Sequence, residues 1–340
     1  MFFVSSVIIF SNYDYNLVET GQTKVYDVNG NEITSSREEL YGQDGDYQKG
    51  KKFSFIDNGD GTITDLNTGL IWQKTPPSTG ITWEEAYEYC ENLELGGYDD
   101  WRLPTVKELF SIWNGEEGWP YIDTKYFDLV NVEELSKDEQ YWSSTKYVGV
   151  TVEGKDNAAF GVNFATGHIK AYPAGSDENK PPINDFKNIE NSNVQRPPKS
   201  PLLKYVRAVR GNIYGENKFV DNGDGTIIDE NTGLMWSKID FGPMDWKEAL
   251  KFSEESTYAG YDDWRLPNVK ELLSIVDYSR SPTAIDENNI GPAISSIFSS
   301  TQIINEAGET DYPYYWTSTS AECYRINQCI MHVCIFWKSS

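Results

Sequence analysis

Two blocks of this 340-residue chain are near-copies of each other, and duplication on that scale constrains the fold more than any other feature. "GYDDWRLPTVKELFSI" runs from Gly97 to Ile112 and "GYDDWRLPNVKELLSI" from Gly260 to Ile275; among the sixteen aligned positions only Thr105/Asn268 and Phe110/Leu273 differ. Upstream, "DNGDGTITDLNTGLIW" from Asp57 to Trp72 returns as "DNGDGTIIDENTGLMW" from Asp221 to Trp236. The offsets are 163 (260 minus 97) and 164 (221 minus 57), so the two copies share a fold with one residue deleted between the blocks. Solenoid units repeat every 20 to 50 residues or so; a period this long predicts that each copy buries a core of its own.

Each first block reads as a meander of short strands, "FSFID", "TITD" and "LIWQ" in copy one, joined by Asn-Gly and Asp-Gly turns that need positive φ. As a calcium loop "DNGDG" is out of register: Ile56 stands where the first ligand belongs and no closing Glu follows. Two helices per copy follow. Thr82-x-x-Glu85, Asp245-x-x-Glu248, Thr105-x-x-Glu108 and Asn268-x-x-Glu271 all read as capping boxes, which assigns the four glutamates to structure. In "WEEAYEYCENL", Trp83, Ala86, Tyr87, Cys90 and Leu93 form an inward apolar stripe.

Between the helices lies "GYDDWRLP". Asp99, Asp100 and Arg102, like Asp262, Asp263 and Arg265, are close enough in sequence for a local ion-pair network. One reading makes the carboxylates ligands for a sugar, a cation or a basic peptide. The other, which carries more weight, makes Arg102 and Arg265 clamps that tie a long loop to the core. Trp142 and Trp316, in "YWSST" and "YWTST", are the aromatic ligand candidates, set against a heavier reading as core residues.

Composition removes several function classes. The 29 basic and 53 acidic residues give a net charge of −24, which repels phosphate backbones and anionic membranes, so no nucleic-acid partner is expected. No apolar run is long enough to span a bilayer. The opening "MFFVSSVIIF" reads equally as a signal-peptide remnant, left by a start codon placed too late, or as a buried strand. Only two histidines occur, His168 and His332, at non-equivalent places, and no phosphate-binding or dinucleotide fingerprint is present. Catalytic residues: none. Cofactors: none, with calcium unsupported by any loop motif and metal binding otherwise open.

The ordered motifs "DNGDGTITDLNTGLIWQK", "WEEAYEYCENL", "GGYDDWRLPTVKEL", "YWSST", "FGVNFATGHIKAYP" and "YVRAVRG" resemble the bacterial family typified by the C-terminal domain of the Legionella collagen-like adhesin. The resemblance spans about Glu19 to Thr319. It implies an α+β fold of tandem C-type-lectin-like domains, each with short twisted antiparallel sheets and two helices. It also implies a non-catalytic adhesion or binding protein that is secreted, periplasmic or cell-surface, with a glycan or protein ligand. A structural module of the cell envelope or an appendage is the alternative. An enzyme of the formylglycine-generating kind, suggested by "RLPT" before a helix, stands third. The implied partition is a leader at 1–50, a first domain at 51–211 with a loop insertion at 173–201, and a second at 212–340.

Three departures from the family pattern stand out: the cysteines, the early end of copy two, and the insertion from Pro173 to Pro201, which is expected to be a surface loop without regular structure. Cys90 keeps the family's helix cysteine, but Ala208 occupies its usual partner's position, so a buried free thiol is expected. Cys323, Cys329 and Cys334 suit neither a CxxC redox motif nor a paired-CxxC zinc site; a tail disulfide is consistent with export. Copy two has no counterpart of "YVRAVRG" after "YWTST", so the second domain is expected to lack its closing strand and expose a sheet edge.

Overall fold

The computed structural model describes residues 1–6, 15–34, 40–130, 132–136, 138–151, 156–175, 203–320 and 332–333. Most of the insertion at 173–201 and the three tail cysteines lie outside these residues, as does most of the apolar opening beyond Ser6. The architecture is α+β, with short antiparallel sheets and few helices, in two compact units. One unit is continuous, Phe53–Tyr214. The other is discontinuous, joining Met1–Lys52 to the described residues from Gly215 on.

In the continuous unit the meander forms as its turns dictate: Phe55–Asp57, Thr62–Asp65 and Ile71–Gln73 pair antiparallel, with Ile63 opposite Trp72. Asp57 Oδ1 accepts from Gly59 N, and Asp60 Oδ1 accepts from the amide and hydroxyl of Thr62, so the turn carboxylates are engaged in holding the turn. A second, three-stranded sheet is built from Gln140–Tyr147, Ala158–Asn163 and Ile169–Pro173. Helices Trp83–Glu91 and Val106–Ser111 begin at Thr82 and Thr105, each with a complete capping box. The core takes Ala86, Cys90, Trp101 and Trp142, with Trp83, Tyr87 and Leu93 packed half-buried on it. Cys90 is the free buried thiol its position suggests, and burial pushes its pKa up.

The closing strand, Val209–Arg210, completes the first sheet against Ile71–Gln73, with Val209 opposite Trp72. Val209 also exchanges both backbone hydrogen bonds with Arg102, at 2.9 and 3.0 Å. Arg207, two residues earlier, is buried. Its guanidinium lies 5.3 Å from the Phe127 ring and 5.5 Å from that of Tyr141, and donates to the carbonyls of Gln73, Lys74 and Asp128.

The discontinuous unit repeats the meander, with Phe219–Asp221, Thr226–Asp229 and Leu234–Ser237, and the helices Trp246–Glu254 and Val269–Ser274, again with complete capping boxes. The expectation that this copy lacks its closing strand is corrected. The seat is filled by Val4–Ser6, which pairs antiparallel with Leu234–Ser237 and sets Val4 opposite Trp236. The match is residue for residue. Val4 exchanges both backbone bonds with Arg265 (3.2 Å each), as Val209 does with Arg102. Ser237 N donates to Phe3 O as Gln73 N does to Ala208 O; Phe3 N donates to the Ser237 hydroxyl as Ala208 N does to the Gln73 side chain.

Phe2 therefore stands in the place of Arg207, between Phe298 (5.5 Å) and Tyr315 (5.2 Å), the counterparts of Phe127 and Tyr141. Phe298 meets Phe219 edge-on as Phe127 meets Phe55. The strand escapes a search for the family's "VRAVRG" because the two sequences share one residue at the aligned positions and lie at opposite ends of the repeat order. Of the two readings of the opening residues, the structure shows the strand, Val4–Ser6, with Met1 to Ser5 buried.

Phe3 is fully buried and stacks on Phe241 at 4.4 Å. Phe3→Ala is expected to cost about 3–5 kcal/mol. Peptide-resolved hydrogen exchange should place the loss of protection in the discontinuous unit, with the meander of Phe55–Gln73 unaffected.

Candidate functional site

The duplicated loop is shaped by its glycines and its tryptophan. Gly97 adopts φ +79° in the turn where Leu95 and Tyr98 pair, and Trp101, buried beneath it, donates Nε1–H to Leu95 O. Trp264 makes the same bond to Tyr258 O, at 2.9 Å. Beyond the tryptophan the chain turns inward. Arg102 reaches the cap glutamate of the following helix, Nη1 to Glu108 Oε2 and Nη2 to Oε1, both 2.7 Å. Arg265 reaches Glu271 identically, at 2.7 and 2.6 Å. Each glutamate also accepts the amide of its N-cap residue, Thr105 or Asn268.

The local network expected among Asp99, Asp100 and Arg102 is thus replaced by a different one. Arg102 and Arg265 are clamps paired to glutamates six residues on, because a bidentate fork matches a carboxylate already fixed by its helix cap. Asp100 instead receives Arg210 Nε and Nη2 at 2.6 and 3.1 Å, which holds its carboxyl below the usual range. Asp263 accepts the Ser5 hydroxyl at 2.6 Å. Asp99 and Asp262 are exposed. Trp142 is fully buried, donating to Ile81 O at 2.9 Å, and Trp316 is half-buried, donating to Met244 O at 2.7 Å. The eight candidates therefore divide. The arginines and tryptophans face inward, and the four aspartates remain at the surface.

Sequence reasoning passed over three basic side chains in and just before the last strand of copy one. Arg210 lies 3.7 Å from the centroid of the exposed Tyr98 ring. Arg207 fills the aromatic box described above. Lys204 is buried with Nζ 4.8 Å from the Tyr172 ring and 5.7 Å from that of Trp142, and burial lowers its pKa to about 8. The recurrence of a cation every third residue in "KYVRAVR" was the available signal. His168 is held by Thr166 Oγ1 at 2.6 Å and Tyr172 Oη at 3.2 Å; burial lowers it to about 4, so it is neutral at ordinary pH.

In both copies the "DNGDG" turn and the "GYDD" loop are neighbours. Gly61 packs toward Leu95 and Gly96 toward Asp60, while Tyr258 donates its hydroxyl to Gly225 O at 2.8 Å. Lys74 and Lys238 pair with Asp57 and Asp221, both at 2.6 Å. The result is a repeated, acidic loop pair that presents Tyr98 or Tyr261 to solvent.

The discontinuous unit adds a buried carboxyl, Asp44, from the segment ahead of its meander. Asp44 accepts the hydroxyls of Thr20 (2.6 Å) and Thr319 (2.7 Å), and its amide donates to Ser318 O. Burial raises its pKa from 3.8 to about 6, with Glu271 adding to the rise and the hydroxyls and Arg265 opposing it.

Two predictions follow from these electrostatics. Arg265 and Glu271 are 5% and 4% exposed, so Arg265→Ala strands a buried charge and should cost about 3–5 kcal/mol. Arg102, at 27% exposed, should cost less on the same substitution in parallel urea titrations. For Asp44 the folded carboxyl titrates above the unfolded one. Its contribution is therefore full below about pH 4 and lost as pH rises through about 6, a difference of about 3 kcal/mol. Asp44→Asn, which keeps an acceptor for both hydroxyls, should flatten the stability profile between pH 4 and 6; an unchanged profile would contradict the assignment.

Among the described residues no helix is long and apolar enough to cross a membrane. No curated protein and no solved structure matches the chain. A family model does, at residues 61–180 and 225–335, once for each copy of the "GYDDWRLP" loop and its clamp. Those two matches cover more than half of the sequence, and the chain belongs to the Lcl C-terminal domain family.

Proposed function

We propose that this protein is a non-catalytic binding module of the cell exterior, made of two C-type-lectin-like units that meet their ligand through the loop pair. The observation that carries the reading is the division of the repeated residues. Trp101, Trp142, Arg102 and Glu108 are used by the scaffold, while both copies turn outward the same tyrosine, Tyr98 or Tyr261, beside an exposed aspartate, Asp99 or Asp262. The family's association with the cell surface supports the location.

The chemistry of the face suits a neutral glycan. An exposed tyrosine ring stacks on a sugar's apolar side and an exposed carboxylate accepts its hydroxyls. A net charge of −24 opposes the approach of sulfated polysaccharide. Among the described residues, two groups such chemistry would draw on are withheld, which supports the non-catalytic reading: His168 is sequestered, and Cys90 is buried with its thiol kept protonated. The burial of Trp142 favours a second reading, an envelope module whose loops contact other proteins.

A glycan array probed at physiological salt, with and without calcium, tests the first reading. Saturable binding to neutral glycans is expected from the wild type and should be lost in the Tyr98→Ala/Tyr261→Ala variant, whose substitutions are at exposed positions. No binding by folded wild-type protein under either condition would sink the carbohydrate reading in favour of a protein partner.

A further inference from the structure

The strand that completes copy two does not adjoin it in sequence. Ser6 and its partner Leu234 are 228 residues apart (234 minus 6), with the whole of copy one between them. Copy one, by contrast, receives its closing strand from its own next segment, Val209–Arg210. Every molecule of this chain therefore carries one strand, upstream, that fits a seat, downstream.

That seat is specified in detail. Its backbone edge is supplied by Leu234–Ser237 and Arg265, and its side-chain pockets by Phe241, Phe298 and Tyr315. The incoming strand places Phe3 against the first and Phe2 between the other two, and Ser5 donates to Asp263. None of these contacts depends on the strand and the seat belonging to one molecule. The pattern is addition of an extended, apolar strand to a sheet edge, with main-chain bonds giving affinity and alternate side chains giving selectivity.

We infer that copy two is a strand acceptor whose second occupant is the Val4–Ser6 strand, with Phe2 and Phe3 ahead of it, of another copy of this chain. Exchanged reciprocally, the strands close two copies into a swapped dimer; passed on from copy to copy, they close into a ring or continue as a fibre. Closure within one chain is favoured at low concentration by the high effective concentration of a tethered strand; exchange is favoured where copies are crowded on a surface.

Cysteine pairing tests this in the full chain. In a background with Cys323, Cys329 and Cys334 replaced by Ser, Ser5→Cys and Met235→Cys are made in separate, differently sized chains, because Ser5 and Met235 face each other across the pair. The two are mixed, warmed and gently oxidised. The expected result is a mixed disulfide dimer on a non-reducing gel, with a yield that rises with protein concentration. The Ser5→Cys/Met235→Cys chain, oxidised when dilute, should close on itself and lose the capacity to assemble. Closure of that double variant with no mixed dimer at any concentration would overturn the exchange. Failure of both would overturn the pairing itself.

Discussion

The bidentate contact between an arginine and a helix-capping glutamate, Arg102 with Glu108 and Arg265 with Glu271, is the interaction on which both units depend. The glutamate satisfies the orphan amide of its N-cap residue and fixes the start of the second helix. The arginine side chain anchors the long loop to that helix. The same arginine's backbone, through Arg102 with Val209 and Arg265 with Val4, forms one edge of the slot for the closing strand. Loop, helix and sheet closure thus meet at one residue. In the continuous unit the convergence goes further, since Glu108 also accepts the amide of Tyr214 just beyond the closing strand.

The two units solve the same packing problem with different chemistry at one point. In the continuous unit an arginine occupies the aromatic box and takes three backbone carbonyls as its acceptors. Phenylalanine takes that place in the other, donating nothing and contributing ring contacts instead. Replacing a buried cation by an apolar ring of similar bulk is tolerated because burial of a charge offsets much of what its hydrogen bonds return. Divergence of this kind leaves the sheet register intact while erasing the sequence motif that marked it.

Local signals explain what was legible. The turns and the four capping boxes are set by residues within a few positions of one another and form as their patterns require, while the stripe of the first helix forms in part: Ala86 and Cys90 are buried, Trp83, Tyr87 and Leu93 half-buried, and Tyr89 joins the core from outside the pattern. Arg102 and Arg265 as clamps were also legible in kind, but their partners were not. Adjacent aspartates looked nearer along the chain than a glutamate six residues away that a helix turn brings back. The closing strand of copy two was hidden for a stronger reason. Its only mark was four apolar residues at the other end of the repeat order, and nothing in them specifies which sheet edge they will cover. At the candidate site, the aspartates and the tyrosine of the loop are visible in sequence; the arginine that stacks on Tyr98 comes from 112 residues downstream (210 minus 98) and is not.

The discontinuity of one unit gives synthesis an order. Phe53–Tyr214 is a single stretch of chain and can fold as it leaves the ribosome, whereas Val4–Ser6 is made before it and waits for its partner strand. At about 5–20 residues per second, the 228 residues added after Ser6 to reach Leu234 take roughly 10 to 50 seconds. For that interval the side chains of Met1, Phe2, Phe3 and Val4, all destined for the core, have no sheet to enter. A nascent chain of this protein is therefore a natural client for whatever shields apolar segments near the ribosome, and its second unit can complete only after its first has had time to form.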